Sequence, residues 1–176
     1  MRVGLVGLGN VGVGHHLPAF ESIPELAQIV AIADPVVERR SLVAERLGLR
    51  DGAAYPTPEA LIDGAEVDVV DLATPPGVRV ALALRALAAG RAVICEKPLT
   101  LAPADAASLV AASAKAGIPV GMIHNYVHLP EIVAARAAIA EGAIGDPEIA
   151  IVNALSVEDR PGNAAWRPGW RHDPTT

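Results

Sequence analysis

Three glycines near the start of the chain have the spacing of a phosphate-binding turn. They lie in Gly7-Leu8-Gly9-Asn10-Val11-Gly12, which follows an apolar run at residues 3–6 and precedes a segment with helical periodicity. In a dinucleotide-binding βαβ unit the first glycine makes a tight turn, the second admits the pyrophosphate, and the third lets the helix pack on the strand. The first amide groups of that helix then face the phosphates. Glycine-rich turns also occur in ordinary loops, so the rest of the chain decides what this one does.

Asp34 is the second candidate, 22 residues beyond the last glycine of the turn and directly after a predicted strand at residues 29–33. An acidic residue at this point hydrogen-bonds the ribose hydroxyls of a bound NAD and disfavours the 2′-phosphate of NADP. Arg39 and Arg40 follow closely and leave NADP possible. The alternative role of Asp34 is a helix cap, because Asp followed by proline is a frequent helix start. The two roles are compatible.

Polar residues also follow the next predicted strands, at residues 67–73, 92–95 and 118–123. The carboxyl ends of parallel strands meet at one edge of a doubly wound sheet, and ligands bind there. We therefore expect one site to contain all the polar residues at these strand ends. They are Asp34, Thr74, Glu96, Lys97 and Asn125.

Helical patterns alternate with these strands, which predicts an α/β fold with a doubly wound parallel sheet and helices on both faces. The predicted helices cover residues 35–47, a short stretch from Thr57, residues 79–89 and residues 103–116. We divide the chain into a dinucleotide-binding domain at residues 1–120 and the start of a second domain at residues 121–176. An extended run at residues 148–157 and a strand near residues 118–127 would supply that second domain's sheet.

Lys97 has the chemistry of a catalytic group. A lysine at a buried strand end loses hydration, so its ammonium needs a partner or a role. Beside a reacting oxygen it could stabilise developing alkoxide charge or relay a proton. The alternative is a plain ion pair with Glu96 or another acid.

The remaining candidates for chemistry are the single cysteine and the histidines. Cys95 is expected to be an inert core residue, with a redox role as the minor alternative. His15 and His16 are expected to cap a helix or face solvent, with a contact to phosphate as the alternative, and His124 and His128 to be structural or to reach a substrate. No spacing among these residues is typical of a metal site, so none is predicted.

Composition excludes several classes of partner. The net charge is −6 and the basic residues are not clustered, which argues against nucleic acid. No apolar run approaches about 18 residues, the length of a membrane span. One cysteine cannot form an intramolecular disulfide, and no signal peptide precedes the first strand. A cytoplasmic protein with a small-molecule substrate is the expectation.

Several motifs together resemble the Gfo/Idh/MocA family of nicotinamide-dependent oxidoreductases. The matching stretches are the glycine turn, Asp34, Thr74-Pro75, Ala88-Ala89-Gly90, Cys95-Glu96-Lys97-Pro98-Leu99, His124-Asn125-Tyr126 with Pro130, and Glu141-Gly142-x-Ile144-Gly145. The resemblance implies a Rossmann domain followed by an α/β domain with an open, mostly antiparallel sheet. It implies NAD or NADP as cofactor, Lys97 beside the nicotinamide and substrate, Glu96 and Thr74-Pro75 lining the cofactor, and a Lys97–Pro98 peptide that is often cis.

The same resemblance predicts the activity, and the chain departs from the family's sequence pattern at Arg79 and in its last residues. Family members oxidise or reduce a hydroxyl or carbonyl of a sugar, cyclitol or related compound, and many form dimers or tetramers. Arg79 stands where the family usually has a histidine. An Asp-x-Gly-x-His motif usually follows a Trp-Arg such as Trp170-Arg171, so we expect this chain to be a fragment that lacks the acid/base pair. A cofactor-binding sensor or regulator without turnover is the alternative function.

Overall fold

Residues 1–123 are organised around one parallel sheet of six strands. The structure, a computed structural model, describes residues 1–152. The strands are β1 (Arg2–Val6), β2 (Gln28–Ala33), β3 (Ala54–Tyr55), β4 (Val69–Leu72), β5 (Ala92–Cys95) and β6 (Val120–Met122). Their order across the sheet is β3-β2-β1-β4-β5-β6, and every neighbouring pair is parallel. This is the strand order of a dinucleotide-binding Rossmann fold, so the predicted fold class is confirmed.

Helices connect consecutive strands. They are α1 (Leu17–Glu21), which continues a π-helical turn at Gly12–His16, α2 (Val37–Leu47), α3 (Pro58–Gly64), α4 (Pro76–Ala88) and α5 (Pro103–Ala116). Proline occupies the first position of α3, α4 and α5, where its missing N–H costs no hydrogen bond. The hydroxyl of Thr57 accepts a hydrogen bond from the Ala60 N–H and caps α3 as its sequence predicts.

Two apolar layers hold the helices on the sheet. On one face Leu61, Leu82 and Leu109, from α3, α4 and α5, belong to a single buried cluster with β-strand side chains. On the other face Leu17 and Val43, from α1 and α2, are buried with the strand residues of the second cluster. A sheet covered on both faces explains why its strands are continuous apolar runs rather than alternating ones.

The strand order reverses between β1 and β4, which opens a crevice outside their carboxyl ends. The glycine turn follows β1, and Thr74-Pro75 follows β4, so the two loops flank this crevice. Sequence patterns missed β3, which has only two residues, and began α4 three residues late, at residue 79 instead of Pro76.

A second unit of the chain begins at His124. Its described part contains a 3₁₀ turn at Asn125–His128 and α6 (Pro130–Ala140). The strand predicted for a second sheet near residues 118–127 is wrong, because Val120–Met122 pairs with β5 as the edge of the first sheet. Residues 148–152 form no regular strand, and residues 153–157 of the predicted extended run lie outside the described residues, as does Trp170-Arg171. Within residues 1–152, no helix has the length and apolar character needed to cross a bilayer.

Candidate dinucleotide-binding site

The glycine turn has the three geometries that its sequence predicts. Gly7 has φ +92°, a conformation that side chains disfavour, and a Cβ built there would lie 2.6 Å from the backbone oxygen of Ala73. A Cβ on Gly12 would collide with the carbonyl oxygen of Gly7. A Cβ on Gly9 would meet no atom within 4 Å. Gly7 and Gly12 are therefore required by the turn itself, whereas Gly9 borders open space that a ligand can occupy.

Asn10 and Val11 lie between these glycines, where the backbone becomes helical. The Val13 N–H donates to the Gly9 carbonyl at 2.9 Å, which closes the first turn. The first amides of a helix have no carbonyl partner within it, so this end of the helix offers donors and positive potential to an anion.

Asp34 is buried, with 4% of its surface exposed, and is joined to the glycine turn. Its Oδ2 accepts the Leu8 N–H at 2.8 Å, and its Oδ1 accepts the Val36 N–H at 2.9 Å. The cap interpretation is wrong, because α2 begins after Val36 and Asp34 lies two residues before that N-cap. Each carboxylate oxygen still has a lone pair for a ribose hydroxyl.

The two arginines after Asp34 differ in their contacts. Arg40 donates to the backbone carbonyl of Asp34 at 2.6 Å, so it supports the loop. Arg39 is half-exposed, and its Nη1 lies 3.7 Å from Oδ2 of Asp34. The guanidinium of Arg39 is thus close enough to the Asp34 carboxylate to offset part of its negative charge.

Arg79 connects the loop after β4 to the loop after β5. It is only 2% exposed, and its guanidinium donates to the carbonyl oxygens of Thr74 and Pro98. The Lys97–Pro98 peptide is cis, as the family resemblance implies. The departure from the family's usual histidine therefore places a buried cation between Thr74-Pro75 and the Glu96-Lys97-Pro98 segment. Thr74 Oγ1 is buried and has no hydrogen-bond partner among the described residues, which leaves a polar group for a ligand.

Glu96 and Lys97 follow β5 with opposite exposures. Glu96 is buried, whereas Lys97 is exposed, so the prediction that Lys97 sits at a buried strand end is wrong. The strand ends at Cys95 and the chain turns outward one residue later. The contact between the two residues runs from the Lys97 backbone N–H to Glu96 Oε2 at 3.0 Å. Within residues 1–152 the ammonium of Lys97 makes no ion pair, so the alternative of a plain ion pair with Glu96 does not hold in the described chain.

His16 is the site residue that sequence reasoning missed. It was expected to cap a helix or face solvent, yet it is only 7% exposed. Its Nδ1 lies 2.7 Å from Asp71 Oδ2, and its Nε2 lies 3.2 Å from Glu96 Oε1. The signal was Asp71, because a carboxylate inside the apolar run that forms β4 needs a buried partner. His15, one residue earlier, is exposed.

His16, Asp71 and Glu96 form a buried cluster in which the pKa values of His16 and Asp71 are raised. Burial opposes protonation of His16, but hydrogen bonds and charge attraction from Asp71 and Glu96 outweigh it and raise the pKa of His16. Burial raises the pKa of Asp71, and the hydrogen bond from His16 only partly offsets this. The cluster therefore binds protons more tightly than its separate groups would.

Cys95 fits the interpretation as an inert core residue. It is buried, and burial raises the pKa of its thiol to about 11, so the reactive thiolate is disfavoured. Across the described part of the chain, no group of three or more His, Cys, Asp or Glu side chains is arranged to hold a metal ion. Asn125 lies in the second unit, and its role at the cofactor stays a prediction.

Comparison with known proteins decides the family. Residues 1–124 match the family described as an oxidoreductase family with an NAD-binding Rossmann fold, Gfo/Idh/MocA. The chain belongs to this family. The match spans the six-stranded sheet and every residue of the glycine turn, Asp34, Thr74-Pro75 and Glu96-Lys97.

Individual Gfo/Idh/MocA relatives cover the same region. D-apiose dehydrogenase of Paraburkholderia graminis is 36% identical over 143 residues, which are 81% of this chain and 37% of the relative. Inositol 2-dehydrogenase 4 of Saccharopolyspora erythraea is 34% identical over 150 residues, 84% of this chain and 43% of the relative. The chain therefore spans about two fifths of the length of the curated relatives it matches.

A solved structure has the same fold. The oxidoreductase from Agrobacterium radiobacter, in complex with NAD⁺, L-tartaric acid and magnesium, superposes with a TM-score of 0.76 at 31% identity. The superposition covers 84% of this chain and 42% of that one.

Proposed function

We propose that this protein is an oxidoreductase that transfers a hydride between a nicotinamide cofactor and a hydroxyl or carbonyl carbon of a sugar, cyclitol or related small molecule. The observation that carries the proposal is the glycine turn. Gly9 borders open space, and the carboxylate oxygens of Asp34, which is hydrogen-bonded to Leu8 of the turn, are available as acceptors. Membership in the Gfo/Idh/MocA oxidoreductase family supports the same function.

In this proposal, different residues of the crevice would bind the adenosine ribose, the pyrophosphate and the nicotinamide half of the dinucleotide. The turn from Gly7 to Gly12 would hold the pyrophosphate, and Asp34 the adenosine ribose. Thr74, Pro75 and Glu96 lie on the far side of the strand-order reversal and would line the nicotinamide half. Asn125 is retained as a proposed cofactor-binding residue.

Asp34 favours NAD over NADP in this proposal. Its carboxylate would accept hydrogen bonds from the ribose hydroxyls and repel a 2′-phosphate. Arg39, at 3.7 Å from that carboxylate, offsets part of the repulsion, so NADP remains a weaker alternative cofactor.

Bound nicotinamide supplies the hydride acceptor or donor, and Lys97 supplies charge. Its exposed ammonium at the carboxyl edge of the sheet would stabilise negative charge that develops on the substrate oxygen. Thr74 and Glu96 would fix the cofactor beside it. The acid/base partner that takes the proton would come from the second domain.

The second domain, which begins at His124, is proposed to carry the substrate pocket and a mostly antiparallel sheet through which copies associate. A homodimer or homotetramer in the cytoplasm is part of this proposal, by analogy with the family.

Calorimetric titration of the 176-residue chain with NAD⁺, NADP⁺ and ADP-ribose tests cofactor binding directly. We expect NAD⁺ to bind more tightly than NADP⁺, and ADP-ribose to retain part of the affinity. A chain that is folded by circular dichroism but binds none of the three would contradict the proposal. Reduction of NAD⁺, followed by absorbance with a panel of sugars and cyclitols, then tests turnover.

A further inference from the structure

The imidazole of His16 stands between two buried carboxylates. Asp71 lies at 2.7 Å from one ring nitrogen and Glu96 at 3.2 Å from the other. Asp71 projects from β4, and Glu96 follows β5, so the ring joins two neighbouring strands. All three residues are buried, each with less than a tenth of its surface exposed.

The ionisation of the two carboxylates sets how many protons the imidazole holds. An ionised carboxylate only accepts hydrogen bonds, so two such partners require both ring nitrogens to carry hydrogen. The charged groups that face His16 are Asp71 from β4 and Glu96 from the loop after β5, and Glu96 is also attracted to Arg79. An imidazolium at this point leaves the cluster with one net negative charge instead of two.

The cluster joins the helix after β1 to the loop after β5. His16 lies in the π-helical turn that directly follows the glycine motif. Glu96 uses its other oxygen, Oε2, to accept the Lys97 backbone N–H at 3.0 Å. A continuous path of hydrogen bonds therefore runs from the helix after β1, through His16 and Glu96, to the backbone of Lys97.

We propose that His16 acts as an imidazolium positioning residue, which holds Glu96 and the Lys97 backbone at a fixed place relative to the phosphate turn. The inference rests on the proposed function, because it assigns the nicotinamide half of the cofactor to Glu96 and Lys97. His16 itself contacts neither the phosphates nor the reacting carbon in this scheme.

Nuclear magnetic resonance of the unsubstituted chain tests the charge state. Long-range ¹H–¹⁵N spectra distinguish an imidazolium, with two equivalent protonated nitrogens, from a neutral tautomer. At about pH 7 we expect His16 to be an imidazolium, because its two carboxylate neighbours favour the charged ring. A neutral His16 at that pH would overturn the proposal, and this measurement requires no variant to fold.

Binding of two ligands separates positioning from a general structural role. ADP-ribose contains the adenosine and both phosphates but lacks nicotinamide. We expect His16→Gln to weaken NAD⁺ binding by about tenfold and to change ADP-ribose binding by less than about twofold. His15→Gln, one residue away on the exposed side, is the matched control and is expected to change neither.

The outcomes separate the two proposals. Equal weakening of both ligands by His16→Gln would mean that the histidine supports only the phosphate turn, and no weakening of either would mean that it positions nothing. Each of these results overturns the positioning role. An unsubstituted chain that binds neither ligand would instead contradict the proposed function itself.

Discussion

Asp34 accepts a hydrogen bond from the backbone N–H of Leu8 at 2.8 Å, so one side chain joins the end of β2 to the glycine turn after β1. The same carboxylate accepts the Val36 N–H at 2.9 Å. Its orientation is therefore set before any ligand arrives, and a ribose would meet acceptors that are already in place. Such preorganisation lowers the entropic cost of binding.

Replacement of Asp34 by Ser is expected to weaken NAD⁺ binding by roughly tenfold to a hundredfold, because hydrogen bonds to a charged acceptor contribute about 1.5–3 kcal/mol. Discrimination against NADP⁺ should relax, since the charge that repels the 2′-phosphate is gone. Calorimetry with both cofactors measures the effect. Glu38→Gln, an exposed acid on α2, is the control. Unchanged affinities for both cofactors would refute the ribose assignment.

Alanine at two glycines of the turn should give opposite results. Gly12→Ala forces a methyl group against the Gly7 carbonyl, and overpacking of this kind costs about 1–3 kcal/mol. Gly9→Ala places its methyl group in open space, so it should fold normally yet weaken NAD⁺ binding. Thermal unfolding and calorimetry on both variants test this. A Gly9→Ala chain with native affinity would mean that the open space does not receive the cofactor.

The chain has only two lysines, Lys97 and Lys115, and they provide an internal comparison. Both are exposed, so both should react with an amine-acetylating reagent in the free chain. Lys115 lies in the last turn of α5, which precedes β6 and is therefore at the opposite edge of the sheet from the crevice. Saturating NAD⁺ should slow acetylation of Lys97 severalfold and leave Lys115 unchanged, as peptide mass spectrometry can quantify. Equal reactivity with and without NAD⁺ at Lys97 would place it away from the cofactor.

Arg79 should contribute far more to stability than Arg85 on the same helix. Arg79→Met leaves the buried carbonyls of Thr74 and Pro98 without their donor, and we expect a loss of about 2–4 kcal/mol. Arg85→Met removes a half-exposed ion pair with Asp63, and solvent screening makes such a pair a weak contributor to stability. Urea unfolding of the two variants measures the difference. Similar losses in both would show that the buried arginine does not join the two loops.

The stability of the chain should fall as pH rises past neutrality. The pKa of His16 is raised on folding, so its contribution is complete below the ordinary pKa of histidine and is lost as pH rises through the folded-state pKa. The raised pKa of Asp71 acts in the same direction. The melting temperature of the unsubstituted chain relative to that of His16→Gln should therefore decline from about pH 6 to about pH 9. A difference that grows over this range would contradict the protonated cluster.

The features that could be predicted from the sequence share a local signal. The glycine turn, the proline-started helices and the strand ends at Ala33 and Cys95 are each encoded by neighbouring residues. The parallel direction of the strands was predicted from their alternation with helices, whereas their order across the sheet came from the structure.

The errors concern contacts between residues that are distant in sequence. His16 and Glu96 are separated by 80 positions, and no local pattern reports that they meet. Lys97 was assigned to a buried strand end because Cys95 and Glu96 are buried, but the chain turns outward at this residue. The strand near residue 120 was predicted both in the parallel sheet, at residues 118–123, and in a second sheet, at residues 118–127. Its pairing with β5 confirms the first of these and rules out the second.

Backbone hydrogen bonds continue past the ends of the strands into the loops of the crevice. The Gly7 N–H donates to Ala33, the Ala73 N–H to Val6, and the Glu96 N–H to Leu72, each through the carbonyl oxygen at 2.8–3.2 Å. The first residue of each loop is thus fixed to the end of a neighbouring strand, so the three loops start from positions that the sheet itself sets. Side chains beside these starting points, such as Asp34 after Ala33, therefore stand on a backbone that the sheet holds in place, so a single substitution there would change the chemistry of the site without moving its frame.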